Sequence, residues 1–272
     1  MEAWLTRIKR VKALRWVRKM RGEMSAQLIE TEGCAYVVKL AQPFNGGRRA
    51  LVNEFIGSIL LSALGVATPE CAFVDIGEEC GSGLLQPGVH FGSRYPGKHE
   101  AVAVYDFMPD VLLPKVRNRE HFIGALMFDL WASNGDSRQA IFFRQAPSPA
   151  GTTITERPFV AEMIDHNAVF GGSAWTFDDS AVHYGRRAFY DSTLSIRAFD
   201  PWIDALMKLP HNLPTEAITE IPRNWIECDE KALEELLAQL YLRRKQVPAM
   251  IEQAVHTLNR GLPHRLMQNA QP

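Results

Sequence analysis

Apolar and polar positions change period several times along the chain. From Ala26, "AQLIE", "TEG" and "AYVVKL" alternate with a period of two and predict a β-hairpin over 26–40, with Gly33 in its turn. After the loop "AQPFNGGRR", the stretch "ALVNEFIGSILLSALG" (50–65) switches to a helical period. It sets Leu51, Phe55, Ile59 and Leu60 on one side and Gly65 where a helix ends. "TPECAFVDIG" predicts a strand opened by Pro69, and "AVAVYDFMP" (101–109) predicts another closed by Pro109. Between them, 77–100 is rich in Gly, Pro, His and Ser and reads as one long loop containing "HFGSRY".

Beyond Pro109 the balance shifts. "REHFIGALMFDLWAS" (119–133) predicts a helix apolar on most faces, followed by the polar run "NGDSRQ" and the strand "AIFFR". A Pro/Gly/Thr connector (146–158) leads to the strand "PFVAEMID", which ends at Asp165. From Ile196 the period is helical in "FDPWIDALMKL", "EAITEIP" and the long stretch from Cys228, which breaks near Pro248. The first 22 residues fit either of two periods. Trp4, Ile8, Val11 and Leu14 fall at helical spacing, whereas Leu14, Trp16, Arg18 and Met20 alternate as a strand. The order of elements is that of an α+β protein: a sheet-rich lobe with one helix over 1–109, then a larger helical lobe over 110–272.

Composition narrows the function classes. The 272 residues carry a net charge of −1 and are 46% hydrophobic, so the whole molecule is not built to coat nucleic acid or an anionic membrane. Basic residues do cluster before residue 22 (Arg7, Lys9, Arg10, Lys12, Arg15, Arg18, Lys19 and Arg21 against Glu2), either as a solvated edge or as an arm for nucleic acid or a membrane surface. The solvated edge is the preferred reading. The four cysteines are scattered, which argues for reduced thiols in the cytoplasm, and the histidines form no zinc pattern. No apolar run reaches the ~18 residues of a membrane span.

Three carboxylates and one lysine carry candidate chemistry. Lys39 alternates with Val38 and Leu40, and a lysine on an inward sheet face needs an anion; Glu54 on the next helix is the natural partner. A strand lysine paired with a helix glutamate is how phosphotransferases hold the α- and β-phosphates of ATP, although an outward lysine on an edge strand has the same sequence. Asp136 sits in a polar loop between two apolar elements, where a carboxylate can orient a hydroxyl or accept its proton, or simply make a turn. Asp165, at the end of an apolar strand, is placed to hold Mg²⁺. Gly22 and Ser25 in "RGEMSAQ" offer a loop that can close over phosphates, although neither a P-loop nor a G-x-G-x-x-G pattern occurs.

"YVVKL", "ALVNEFIGSILLSALGVATPECAFVDI", "HFGSRY", "NGDSRQAIFF" and "IDHNAVF" together resemble the HipA-like kinases of bacteria, over about residues 11–175 and more loosely beyond. The Asn-Glu pair of "VNEF" is the most specific element. The resemblance implies a bilobal protein-kinase-like fold that uses ATP and Mg²⁺ to phosphorylate a hydroxyl on a protein or small molecule. It assigns Lys39 to the phosphates, Glu54 to anchoring Lys39, Asp136 to the catalytic loop and Asp165 to the metal. Tyr105, Asp106, Phe107 and Met108 would form the hinge at the adenine. The usual second metal ligand, an Asn five residues after the catalytic Asp, is replaced by Ile141, and Gln139 offers a carboxamide oxygen instead. That departure keeps a second reading open, a nucleotide-binding pseudokinase or interaction module. A nucleic-acid binder working through the basic N-terminus is a third, and a protein partner is compatible with any of them.

Overall fold

The computed structural model describes residues 8–21, 26–40, 47–80, 85–144, 158–190 and 194–260. Its elements are β1 (Lys9–Lys12), β2 (Arg15–Lys19), β3 (Gln27–Thr31), β4 (Cys34–Lys39), α1 (Gly47–Ala63), β5 (Cys71–Ile76), β6 (Gly88–Arg94), β7 (Val104–Tyr105), α2 (His121–Ala132), β8 (Gln139–Arg144), β9 (Phe159–Ile164), α3 (Asp200–Lys208), α4 (Leu213–Glu220), α5 (Arg223–Ile226), α6 (Glu230–Arg243) and α7 (Val247–Arg260). They form a β-sheet lobe followed by a mainly helical part, the mixed architecture that the pattern predicts.

The six-stranded sheet runs β1-β5-β6-β4-β3-β2, antiparallel except for the β1–β5 pair. Its two edge strands are consecutive in sequence and separated only by Ala13 and Leu14. Five steps of about 4.8 Å lie between the edges of a flat six-stranded sheet, far beyond the reach of two residues. The sheet is therefore curled. Ala13 N–H donates to Asp75 O on the β5 side at 2.9 Å and Leu14 N–H to Glu30 O on the β3 side at 2.8 Å, so residues 9–19 act as one bent strand closing a barrel. A register shift between Trp16 and Arg18 supplies part of the bend. Lys9–Lys12 and Arg15–Lys19 of the ambiguous N-terminal segment are thus strand, as the alternation of Leu14, Trp16, Arg18 and Met20 allows, and residues 1–7 lie outside the described ones.

Ile29, Tyr36, Val38, Val74 and Ile76 fill the barrel interior, with Val11, Ala13 and Trp16 against them. The opposite face of β4–β6 carries Lys39, Phe91 and Phe73, and the two phenylalanines belong to the main core, which extends through α1, α2 and the C-terminal helices. α1 has no single apolar side: Asn53, Glu54, Gly57 and Ser58 are buried along with its aliphatic residues, because the helix lies between the sheet and the helical part.

Two expectations need correction. The segment 77–100 is not one loop, since Gly88–Arg94 forms β6, a central strand paired with both β4 and β5. The glycine and serine of "HFGSR" hide a strand whose partners, rather than its own propensity, hold it extended. Conversely, only Val104–Tyr105 of the 101–109 stretch is strand. It joins β8 and β9 in a separate three-stranded sheet, and Asp110–Lys115 follows as a 3-10 helix. No helix among the described residues is long and apolar enough to cross a membrane.

Gly92 tests the barrel packing. A Cβ there would sit 2.6 Å from Val74 Cγ2 and 3.3 Å from the Tyr36 ring, so Gly92→Ala forces the interior to shift. We expect a loss of about 1–3 kcal/mol in chemical denaturation.

Candidate active site

The site is built around an ammonium that cannot be left alone. Lys39, at the end of β4, is largely buried and points to the α1 face of the sheet. It donates to Glu54 Oε1 from α1 and, at 2.8 Å, to Asp165 Oδ1 just beyond β9. Burial works against its charge, but the two carboxylates outweigh it and raise the Lys39 pKa. Burial pushes the Glu54 carboxyl up to about 7 against the pull of Lys39. Asp165 goes the other way. Burial opposes its ionisation, yet Lys39, and further off Arg138, hold its carboxyl below the ordinary range. One cation thus joins the barrel, the buried helix and the end of the hairpin.

Consecutive residues of α1 divide the work. Glu54 takes Lys39 and also accepts from the backbone N–H of His166. Asn53 turns to the segment after Asp165: its Nδ2 donates to the carbonyls of Asn167 (2.8 Å), Val169 (3.0 Å) and Gly172 (3.1 Å), while its Oδ1 accepts from Trp175 Nε1 (2.8 Å). This accounts for the Asn-Glu pair in "VNEF", since the helix needs both adjacent side chains to fix one loop. Gly57, one turn on, is where the loop comes closest; a Cβ there would lie 2.6 Å from that of His166. Asp165 itself has φ +61°, a left-handed conformation that non-glycine residues seldom adopt.

The loop carrying Asp136 is braced against that same segment. α2 ends at Ser133 with φ 52°. Gly135 N–H donates to Ala168 O at 3.1 Å, and Gly171 N–H to Ser133 O at 3.3 Å. Beneath the loop lies a buried ion pair. Arg138 grips both oxygens of Asp129 on α2, with Nε to Oδ2 at 3.1 Å, and reaches Ile164 O at 3.2 Å and His166 Nδ1 at 2.7 Å. Asn134 Nδ2 adds a bond to Asp129 Oδ1 at 2.9 Å. Asp129, Asn134 and His166 are each 1% exposed, so the network is fully desolvated. With Arg138 bonded to its Nδ1, His166 is held well below its ordinary pKa, by burial first and the Arg138 charge second. The sequence signal for this network was a lone carboxylate, Asp129, inside an apolar helix.

Asp136 is exposed above this floor. Its Oδ1 accepts from Ser137 N–H at 2.6 Å, and among the described residues none bonds to Oδ2. Gln139 is exposed and stands directly across from Ile164, the residue before Asp165. Ile141, at the position where an Asn ligand would be expected, faces Glu162 across the hairpin and offers no oxygen. The expected hinge residues are dispersed. The Tyr105 ring packs edge-on against Phe159, Phe107 is exposed beneath the Arg186 guanidinium, and Asp106 is exposed. Met108 is buried in the main core, and its carbonyl accepts from Arg186 at 2.9 Å. Gly22 and Ser25 lie outside the described residues; Met20 N–H donates to Ala26 O at 2.7 Å across the gap that contains them.

Removing one partner of the Asp129–Arg138 pair strands the other in the interior. Arg138→Met is expected to cost about 3–5 kcal/mol in urea denaturation, and the double variant Asp129→Leu/Arg138→Met less than the single one, because no lone charge remains.

The model of the HipA-like kinases matches residues 28–253, from the first strand of the β3–β4 hairpin to within α7. No curated relative matches the chain. Among solved structures, a proinflammatory kinase of Helicobacter pylori, CtkA, is similar at a TM-score of 0.42 and 12% identity, covering 91% of this chain and 96% of that one, which is too distant to assign anything by itself. The family match spans most of the chain and includes Lys39, Glu54, Asp136 and Asp165: this protein belongs to the HipA-like kinase family.

Proposed function

We propose that the protein is an ATP- and Mg²⁺-dependent phosphotransferase that moves the γ-phosphoryl group of ATP to a hydroxyl on a protein or a small molecule, with residues 1–109 as the nucleotide-binding lobe and 110–272 as the catalytic lobe. The observation that carries this reading is Lys39 held between Glu54 and Asp165, with the Asp136 loop tied by Gly135 to the segment that follows Asp165. A cation fixed by two carboxylates is positioned in advance, so it meets phosphate oxygens without the cost of ordering a long side chain.

In the transfer, the acceptor hydroxyl oxygen bonds to Pγ while the bond from Pγ to the bridging β–γ oxygen breaks and ADP departs. Asp136, its Oδ1 steadied by Ser137 N–H, orients the hydroxyl through Oδ2 and takes its proton. Lys39 lies against the phosphates of the nucleotide, and Gly22 and Ser25, outside the described residues, are kept on their sequence alone as the candidates for closing over them. Asp165 and Gln139 suit Mg²⁺ by chemistry: both offer hard oxygen donors, and Asp165 is ionised and partly open to solvent. When bound, the metal neutralises charge on the phosphate oxygens.

Asp136→Ala is expected to lower phosphoryl transfer by about 10²–10⁴-fold while leaving nucleotide affinity nearly unchanged. Gln139→Ala should raise the Mg²⁺ concentration needed for half-maximal transfer. Radiolabelled γ-phosphate transfer, read beside nucleotide-induced thermal shifts, checks both, and turnover untouched by Asp136→Ala or Asp165→Ala defeats the assignment. Ile141 in place of an oxygen ligand favours one other reading, a pseudokinase, whose mark is a Mg²⁺-dependent thermal shift by ATP with no transfer.

A further inference from the structure

A second concavity lies at the crossing from the sheet lobe to the β8–β9 hairpin. Its volume is about 420 Å³, within the range of small-molecule sites. Glu70 and Arg94 wall it at the ends of β5 and β6, the connection Tyr95–Val102 at its side, and Phe143, Arg144 and Glu162 from the hairpin. None of Lys39, Glu54, Asp136 or Asp165 lines it. Strand register explains the separation. Arg94 pairs with Tyr36 on β4, whereas Phe91 pairs with Lys39, and residues three apart on a strand point to opposite faces. The cavity is thus turned away from the lysine side of the sheet.

Its charges do not cancel. Arg94 donates to Glu70 at 2.9 Å, but Lys9 shares the same carboxylate. Arg144 packs over the Phe159 ring at 5.3 Å and has no carboxylate partner among the described residues. Glu162 has no hydrogen-bond partner among them either, and burial pushes its carboxyl up to about 7 despite Arg94. Below that pH it is largely a neutral hydroxyl donor. The two lining arginines, with Lys9 bonded to the same Glu70, then face one firmly ionised carboxylate, beside apolar walls from Pro69, Val102, Phe143 and Val160.

We propose that this cavity binds a small carboxylate with an apolar body, held between Arg94 of the sheet lobe and Arg144 of the hairpin. A guanidinium presents parallel N–H donors that match a carboxylate, and the apolar walls shield the rest of the ligand. Because the two arginines stand on either side of the lobe crossing, an occupant links the lobes outside the proposed phosphotransfer cleft. The site does not depend on the protein's transferring phosphate.

Glu162 gives the site a pH signature with a fixed sign. As it ionises above about 7 it stops donating and begins to repel an anion. Of the groups facing it, Tyr95 and Arg94 are held above and Glu70 below their ordinary values, so none of them changes charge near neutrality. Lys9 and Arg144 are the remaining cations, and His99, on the same connection, turns away to Glu30 on β3.

Calorimetric titration of the full chain with benzoate, whose charge is constant between pH 6 and 8, tests this. Saturable binding is expected at pH 6, weaker by about fivefold or more at pH 8. Arg144→Ala, an exposed change that spares the fold, should weaken it about tenfold, and Arg144→Glu further still. Glu162→Gln should bind at both pH values without the difference. No saturable binding, an unaltered affinity in Arg144→Ala, or competitive displacement by Mg²⁺-ADP overturns the proposal. Absence of nucleotide binding beside intact benzoate binding overturns the phosphotransferase reading alone.

Discussion

A desolvated ammonium needs anions close by, and where those anions come from decides how this molecule is assembled. Lys39 draws one carboxylate from the buried helix α1 and another from the turn after β9, 126 residues later in the chain. Its place on β4 is in turn fixed by the barrel, which keeps Val38 on the opposite, interior face. The stability of such an arrangement resides less in the pairing energy than in the penalty for disrupting it, because any one of the three charges left alone in the interior is costly. The geometry is therefore all-or-none, a useful property in a site that must be preformed.

The second buried ion pair has a related role with a different reach. Asp129 and Arg138 neutralise each other, and the guanidinium still has donors for Ile164 O and His166 Nδ1, on either side of Asp165. Asn53 holds the same segment from α1 through three carbonyls. The turn that bears Asp165 is thus gripped from two helices, and this surplus of constraint allows Asp165 to persist at a positive φ.

Much of this was legible in the sequence. Alternation marked the β3–β4 hairpin and placed Lys39 on the face away from Val38, and helical period marked α1 and α2. "VNEF" stood out, yet nothing local to it said that Asn53 would serve a loop more than a hundred residues away. Strand β6 was missed because its extended form is imposed by neighbours on both sides, while its own residues, with Gly88, Gly92 and Ser93, read as part of one long loop. Of the expected strand at 101–109 only Val104–Tyr105 pairs, with β8 rather than with the barrel. Asp129, a charge in an apolar helix, is the sign of the buried network that the sequence pattern passed over, and its partner lies nine residues on, in the loop beside Asp136.

The bent strand over 9–19 also shapes how this protein meets its surroundings. By bonding to both β5 and β3 it leaves, among the described residues of the six-stranded sheet, no long open edge on which a second chain could lay a strand. Association through added β-strands is blocked there, and encounters with other molecules fall to side-chain chemistry on the outer surface of the barrel. That surface carries the exposed bases of this same strand, so one segment both seals the sheet and sets the charge it shows to solvent.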